Sequence, residues 1–199
     1  MTVRQTRALK TKAKLVAAAE KLINEKGFDA VQIIDITREA GVGKGTFYTY
    51  FNKKEDVVGE IAHSKFEAVH DYSSAGNKDV CGRITAFLTG SMELIRDFGL
   101  RMAQQWVKEV VDPDDLDGVR KLEYDRRVIR GMLEKAAESG ELKKKTPAEE
   151  IAGRITAHYY GIVFCWALTD GETDPVADIG DFCRDMLAGY LKQYQKSKK

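Results

Sequence analysis

The stretch Gly41 to Asp56, GVGKGTFYTYFNKKED, sets lysines, threonines and tyrosines among glycines and aromatics within sixteen residues. Phe47 and Phe51 are four apart and therefore share one helical face, the face that docks on a core. Lys44, Thr46, Tyr48, Thr49 and Tyr50 are left on the other side, carrying an ammonium, hydroxyls and ring edges that suit phosphates and bases. Gly45 permits close backbone approach. Lys53 and Lys54 follow, placed to neutralise phosphate beside the first amides of the next helix. A three-helix core with solvated lysines is the plainer reading of the same residues.

Positioning such a face takes two short helices and a tight turn. Gln32 to Ala40 predicts one helix, with Ile33, Ile36 and Ala40 inward; Gly41-Val42-Gly43 is the turn, and Lys44 to Phe51 is the second helix. This is the grammar of a helix-turn-helix, whose second helix enters the major groove of DNA. A longer helix, Arg7 to Lys26, precedes it, with Leu15, Ala18, Ala19, Leu22 and Ile23 on one face and Gly27 as its stop.

Composition fits a chain that touches a polyanion at one end only. The net charge is +1, with 43% apolar and 32% charged residues. Residues 1–56 nevertheless hold 11 Lys and Arg against 7 Asp and Glu, a net of +4, so the remainder carries −3. Basic residues at the start, Arg4, Arg7, Lys10, Lys12 and Lys14, read as an arm along the DNA backbone or minor groove, or as a frayed solubilising end. No apolar run is long enough for a membrane span and no signal sequence is read, which leads to a cytoplasmic expectation. Cys81, Cys165 and Cys183 are too dispersed for a metal knuckle and read as reduced, buried thiols.

The contiguous segment Lys14 to Ile61 resembles the DNA-binding head of the tetracycline-repressor (TetR) family of bacterial transcriptional regulators. The resemblance is carried by Ala-Gly-Val, a small residue, Lys-Gly-Thr, an aromatic, Tyr, two variable positions, Phe and Lys-Glu, between Ala40 and Glu55. It implies recognition contacts at Lys44, Gly45, Thr46, Tyr48, Thr49 and Tyr50, and a phosphate contact at Lys54. Three departures stand out. Val31 and Gln32 replace the family's hydroxyl residues before the second helix, where Gln32 offers an amide instead; Gly43 replaces Ser; Tyr50 stands where His is frequent.

Beyond a fourth, connecting helix at about residues 53–72, helical patterns cover Val80–Phe98, Leu100–Val111, Asp114–Ser139, Pro147–Thr169 and Asp174–Lys196. The expected fold is all-α, about nine helices: a helix-turn-helix head at 1–56 and a larger helical bundle at 57–199. The resemblance implies that the bundle dimerises through its last two helices and holds a small-molecule effector. Ile155, Ile162, Trp166, Phe182, Met186 and Tyr190 lie on apolar stripes that serve as a dimer seam or an intrachain core. Phe87, Met92, Phe98, Met102, Trp106, Tyr124 and Tyr159 form, as a set, a candidate pocket for a mostly apolar ligand, with Glu93, Arg96, Glu123, Arg127 and His158 as possible orienting groups.

No cofactor or metal is expected. His63, Glu67 and His70 align on one helical face, but read as a solvated face. Neither a GxSxG motif nor a P-loop is present, so an enzyme is not expected. The expectation is a homodimeric, ligand-responsive regulator of a palindromic double-stranded DNA operator, most simply a repressor. The alternative is a helical protein-interaction module whose head answers to no ligand.

Overall fold

A computed structural model of the chain describes residues 3–67, 78–110 and 117–195. The described residues are helical throughout their regular parts: α1 (Val3–Lys26), α2 (Ile33–Glu39), α3 (Lys44–Tyr48), α4 (Glu55–Glu67), α5 (Val80–Phe98), α6 (Leu100–Val110), α7 (Asp117–Ser139) and α8 (Ala148–Leu168). Then α9 (Pro175–Asp181) passes through a π-helical segment, Phe182–Leu187, into α10 (Ala188–Lys192). The all-α expectation holds, with a helix-turn-helix at the N-terminal end of a larger bundle.

The predicted face of α1 is the buried one: Leu15, Ala18, Ala19, Leu22 and Ile23 meet Phe28, Val31, Ile36, Phe47 and Phe51. Gly27 ends α1 with φ +83°, a conformation that a side chain would strain. Lys21 on α1 pairs with Glu39 on α2 at 2.7 Å, and Lys12 with Glu60 on α4 at 2.6 Å, fixing the head's outer edges. The apolar core runs without a break from Leu15 in the head to Leu191 at the end of the bundle, and α6 packs against both α1 and α4.

Three local expectations are revised. The helix α3 ends at Tyr48 rather than Phe51, the chain leaving it as a turn at Thr49 and Tyr50, although Phe51 still packs on Phe47 at 5.3 Å between ring centres. The first helix, expected from Arg7, already includes Val3 and so takes in Arg4 as well as Arg7 and Lys10. Residues 3–14 contain neither Gly nor Pro and are rich in helix formers, so nothing stops α1 from propagating backwards. Of the three cysteines only Cys183 is buried; Cys81 is half-buried and Cys165 lies on the exposed side of α8. The joint at 73–79 and the DPDD turn fall largely outside the described residues, as do His70 and the side chains of Arg4, His63 and Glu67.

Among the described residues no helix is long and apolar enough to cross a membrane, and no three metal-ligating side chains are grouped.

Candidate nucleic-acid interface and effector core

The short α3 is anchored by one side chain. Phe47 is completely buried, held edge-on to Tyr48 at 5.6 Å and tilted against Phe51. With Phe47 fixed, the rest of the helix is displayed: Lys44, Gly45, Tyr48 and Thr49 are exposed, Tyr48 by 51% of its surface, while Thr46 and Tyr50 are half-buried. Apart from its chain neighbours and its own helix backbone, nothing lies within 4 Å of where a Cβ on Gly45 would stand, so the fold leaves room for a side chain there. The turn before α3 is closed by the Val42 amide donating to the Thr37 carbonyl at 2.9 Å.

The start of α2 carries the return contact of a capping box, in which the N3 carboxylate reaches back to the N-cap amide. Asp35 Oδ2 accepts from the Gln32 backbone amide at 3.1 Å, and the Gln32 side chain itself is exposed. At the start of α4, Asp56 Oδ2 accepts from the amides of Asn52 at 2.7 Å and Lys53 at 3.2 Å. Those amides are therefore occupied by a carboxylate, and the exposed Lys53 is the cation that remains displayed there.

Lys54 is placed differently from its expected phosphate role. Its ammonium donates to the carbonyls of Phe28 at 2.7 Å and Val31 at 2.8 Å, and lies 3.9 Å from the centre of the Phe28 ring. It ties the loop between α1 and α2 to the start of α4. Arg7, Lys10 and Lys14 are exposed along α1, whereas Lys12 is engaged with Glu60 and the Phe51 ring.

In the bundle, Phe87, Met92, Phe98, Met102, Trp106 and Tyr159 are buried in one core, whereas Tyr124 is half-buried and is not part of it. The five proposed orienting groups do not reach it: Glu93, Arg96, Glu123, Arg127 and His158 are exposed. The polar groups inside are others. Asp125, 3% exposed, receives Lys121 on both oxygens at 2.5 Å and the Tyr160 hydroxyl at 2.9 Å. Burial, more than Asp125 opposes it, lowers the pKa of Lys121. Burial and then the Asp125 charge hold the Tyr159 and Tyr160 phenols well above their usual value. The Lys121–Asp125 pair was legible as i, i+4 opposite charges, but nothing in the sequence distinguished it from surface pairs.

The dimer candidates divide. Ile155 and Trp166 are buried within the chain; Ile162, Phe182 and Tyr190 are half-buried; Met186 is 58% exposed. Phe164 and Leu168 on α8, 46% and 68% exposed, were not among them, yet add to the same kind of uncovered apolar surface. On this side His158 stacks on Phe182 at 4.0 Å, above a groove of about 230 Å³ lined by Arg154, Ile155, Met186, Leu187 and Tyr190.

Residues 15–61 match the family model described as bacterial regulatory proteins, tetR family. Over 191 residues the chain is 26% identical to the HTH-type transcriptional regulator TtgR of Pseudomonas putida, covering 89% of this chain and 90% of that protein. It is 24% identical over 175 residues to the fatty acid metabolism regulator protein of Bacillus subtilis, covering 82% and 87%. Among solved structures, the fold is similar to that of FadR from Bacillus subtilis in complex with stearoyl-CoA: TM-score 0.70, 19% identity, covering 87% of this chain and 97% of that one.

Proposed function

Given that the chain is a TetR-family transcriptional regulator, we propose that it is a homodimeric repressor released from a palindromic operator by a small effector held in its bundle. The head, residues 1–56, binds DNA; the bundle, residues 57–199, dimerises and senses. The observation that carries this reading is the division of α3: Phe47 is wholly buried while Lys44, Gly45, Tyr48 and Thr49 beside it are bare to solvent. A helix held by one ring and presenting its other face is what insertion into a major groove requires.

Two-fold symmetry supplies the second half-site. The exposed Phe164, Leu168 and Met186 support α8 and the α9–α10 run as the seam, since large apolar side chains in one region call for a partner. A second copy is the occupant that a palindromic site demands.

Release follows from α6. Met102 and Trp106 on it belong to the proposed sensing core, and α6 packs on α1 just after the corner where the Asn24 side-chain amide donates to the Phe98 carbonyl at the end of α5, at 3.0 Å. An effector that binds better to one setting of α6 shifts the population of head separations. Purified protein titrated onto DNA from upstream of its own gene, with and without candidate effectors, tests the reading; an operator complex indifferent to a broad metabolite and drug library would refute the switching part.

A further inference from the structure

The interior shared by α5, α6, α7 and α8 holds charges that are matched and hydroxyls that are not. Lys121 and Asp125 neutralise each other, and Tyr160 completes the carboxylate's contacts. Beside them the Ser91 hydroxyl on α5 and the Tyr159 hydroxyl on α8 have no hydrogen-bond partner, although each residue is only 3% exposed. Ser91 lies close enough to Tyr159 to offset part of the rise in its pKa, yet the two hydroxyls do not meet in bonding geometry. Buried hydroxyls are normally satisfied, and an unmatched pair marks a place that something else completes.

The surroundings restrict what that is. Tyr159 and Tyr160 stand edge to face at 5.5 Å, and Trp106 lies tilted to Tyr160 at 6.2 Å. Phe87, Met92 and Met102 are buried in the same core. A cation or anion entering here finds its possible counter-charges already paired and would be stripped of water without compensation. A neutral molecule with a flat apolar body loses little on entering and gains the two open hydroxyls.

Resting on the ligand-responsive reading, we propose that Ser91 and Tyr159 form the effector's hydrogen-bonding subsite, and that the effector is an uncharged, largely aromatic molecule bearing a hydroxyl or carbonyl oxygen. The Tyr159 hydroxyl donates to that oxygen, Ser91 donates or accepts beside it, and the aromatic side chains enclose the body. The Lys121–Asp125–Tyr160 group remains intact and closes the polar end.

A matched naphthalene series tests this on the full-length protein by equilibrium calorimetry at neutral pH: 2-naphthol, naphthalene, 2-naphthoate and a naphthyl trimethylammonium ion. The expected order places 2-naphthol about tenfold tighter than naphthalene, with both ions weaker than 2-naphthol. Tyr159→Phe and Ser91→Ala are expected to erase most of that tenfold preference and leave naphthalene binding unchanged. Tyr159→Phe is also expected to melt no lower than the parent, because it removes a hydroxyl that bonds to nothing. Tighter binding of either ion, or absence of saturable binding by any of the four, overturns the proposal. So does a lower melting temperature of Tyr159→Phe with an unchanged 2-naphthol preference, the mark of hydroxyls satisfied by a structural water. None of these results touches operator binding, so failure of the subsite and failure of the regulator reading are separable.

Discussion

Asn24 and Gly99 exclude one another's alternatives: a Cβ on Gly99 would stand 2.2 Å from Asn24 Oδ1, while Asn24 Nδ2 holds the neighbouring Phe98 carbonyl at 3.0 Å. Gly99 links α5 to α6 with φ +96°, so both the backbone and the close approach require glycine. Through this corner the head's first helix grips the junction of α5 and α6. Gly99→Ala is therefore expected to destabilise the protein by more than about 1 kcal/mol, lowering the melting temperature by a few degrees. Calorimetric melting beside Gly131→Ala, where a Cβ meets nothing within 4 Å, separates this clash from a general response to alanine.

Lys44→Ala should weaken operator binding and leave the melting temperature unchanged, because its side chain is exposed; Tyr48→Ala should weaken binding at a small cost in stability, about 0.5–1.5 kcal/mol, because it also gives up the edge contact with Phe47. Phe47→Ala should do the opposite, costing about 3–5 kcal/mol of stability from its fully buried ring. Operator titration and thermal denaturation of the three variants check the division.

Lys54 provides a sharper test of structure against family expectation. As a strut to the Phe28 and Val31 carbonyls, its replacement by Met should cost about 2 kcal/mol of stability with little change in the salt dependence of operator binding. A phosphate contact would instead lower the salt slope by about one unit and leave stability alone. Denaturant titration together with binding at several salt concentrations reads both quantities.

If the proposed seam holds, Phe164→Glu and Leu168→Glu turn a dimeric parent into a monomer in sedimentation equilibrium without lowering helicity, since both side chains already lie exposed on a single copy. Folding stability on this side of the bundle should be sensitive to acid. Burial lowers the His158 pKa from 6.5, so the neutral ring is the form that packs on Phe182 beside Arg154. As pH falls through 6.5, the less covered state takes up the proton first, and stability is lost below that pH and unaffected above it. A folding stability that stays level from about pH 8 to about pH 5.5, a window spanning that titration, would contradict the packing of the neutral His158 ring on Phe182.

The head could be read from sequence because its code is local. Five apolar positions on α1, the glycine turn and the four-residue interval between Phe47 and Phe51 each specify geometry over a few residues. What escaped was decided by partners far along the chain. Lys54 points inward because two carbonyls more than twenty residues earlier await it. Ile155 and Trp166 share apolar spacing with residues on the outer face, and periodicity does not say which neighbour an apolar stripe meets. Asp125 lies among charged residues in sequence, so its burial against Tyr160 became visible only when α7 met α8. Asp35 satisfies the Gln32 backbone amide from three residues within α2, a contact whose i, i+3 spacing is local.

That the exposed face of α3 reads DNA is the claim on which the rest depends. Its most direct measurement is binding of the purified protein to DNA from upstream of its own gene, at two salt concentrations, beside a folded Lys44→Ala/Tyr48→Ala variant. The expected result is tight, salt-sensitive binding that the variant loses. Equally weak binding by both proteins, or equally tight binding by both, would contradict it.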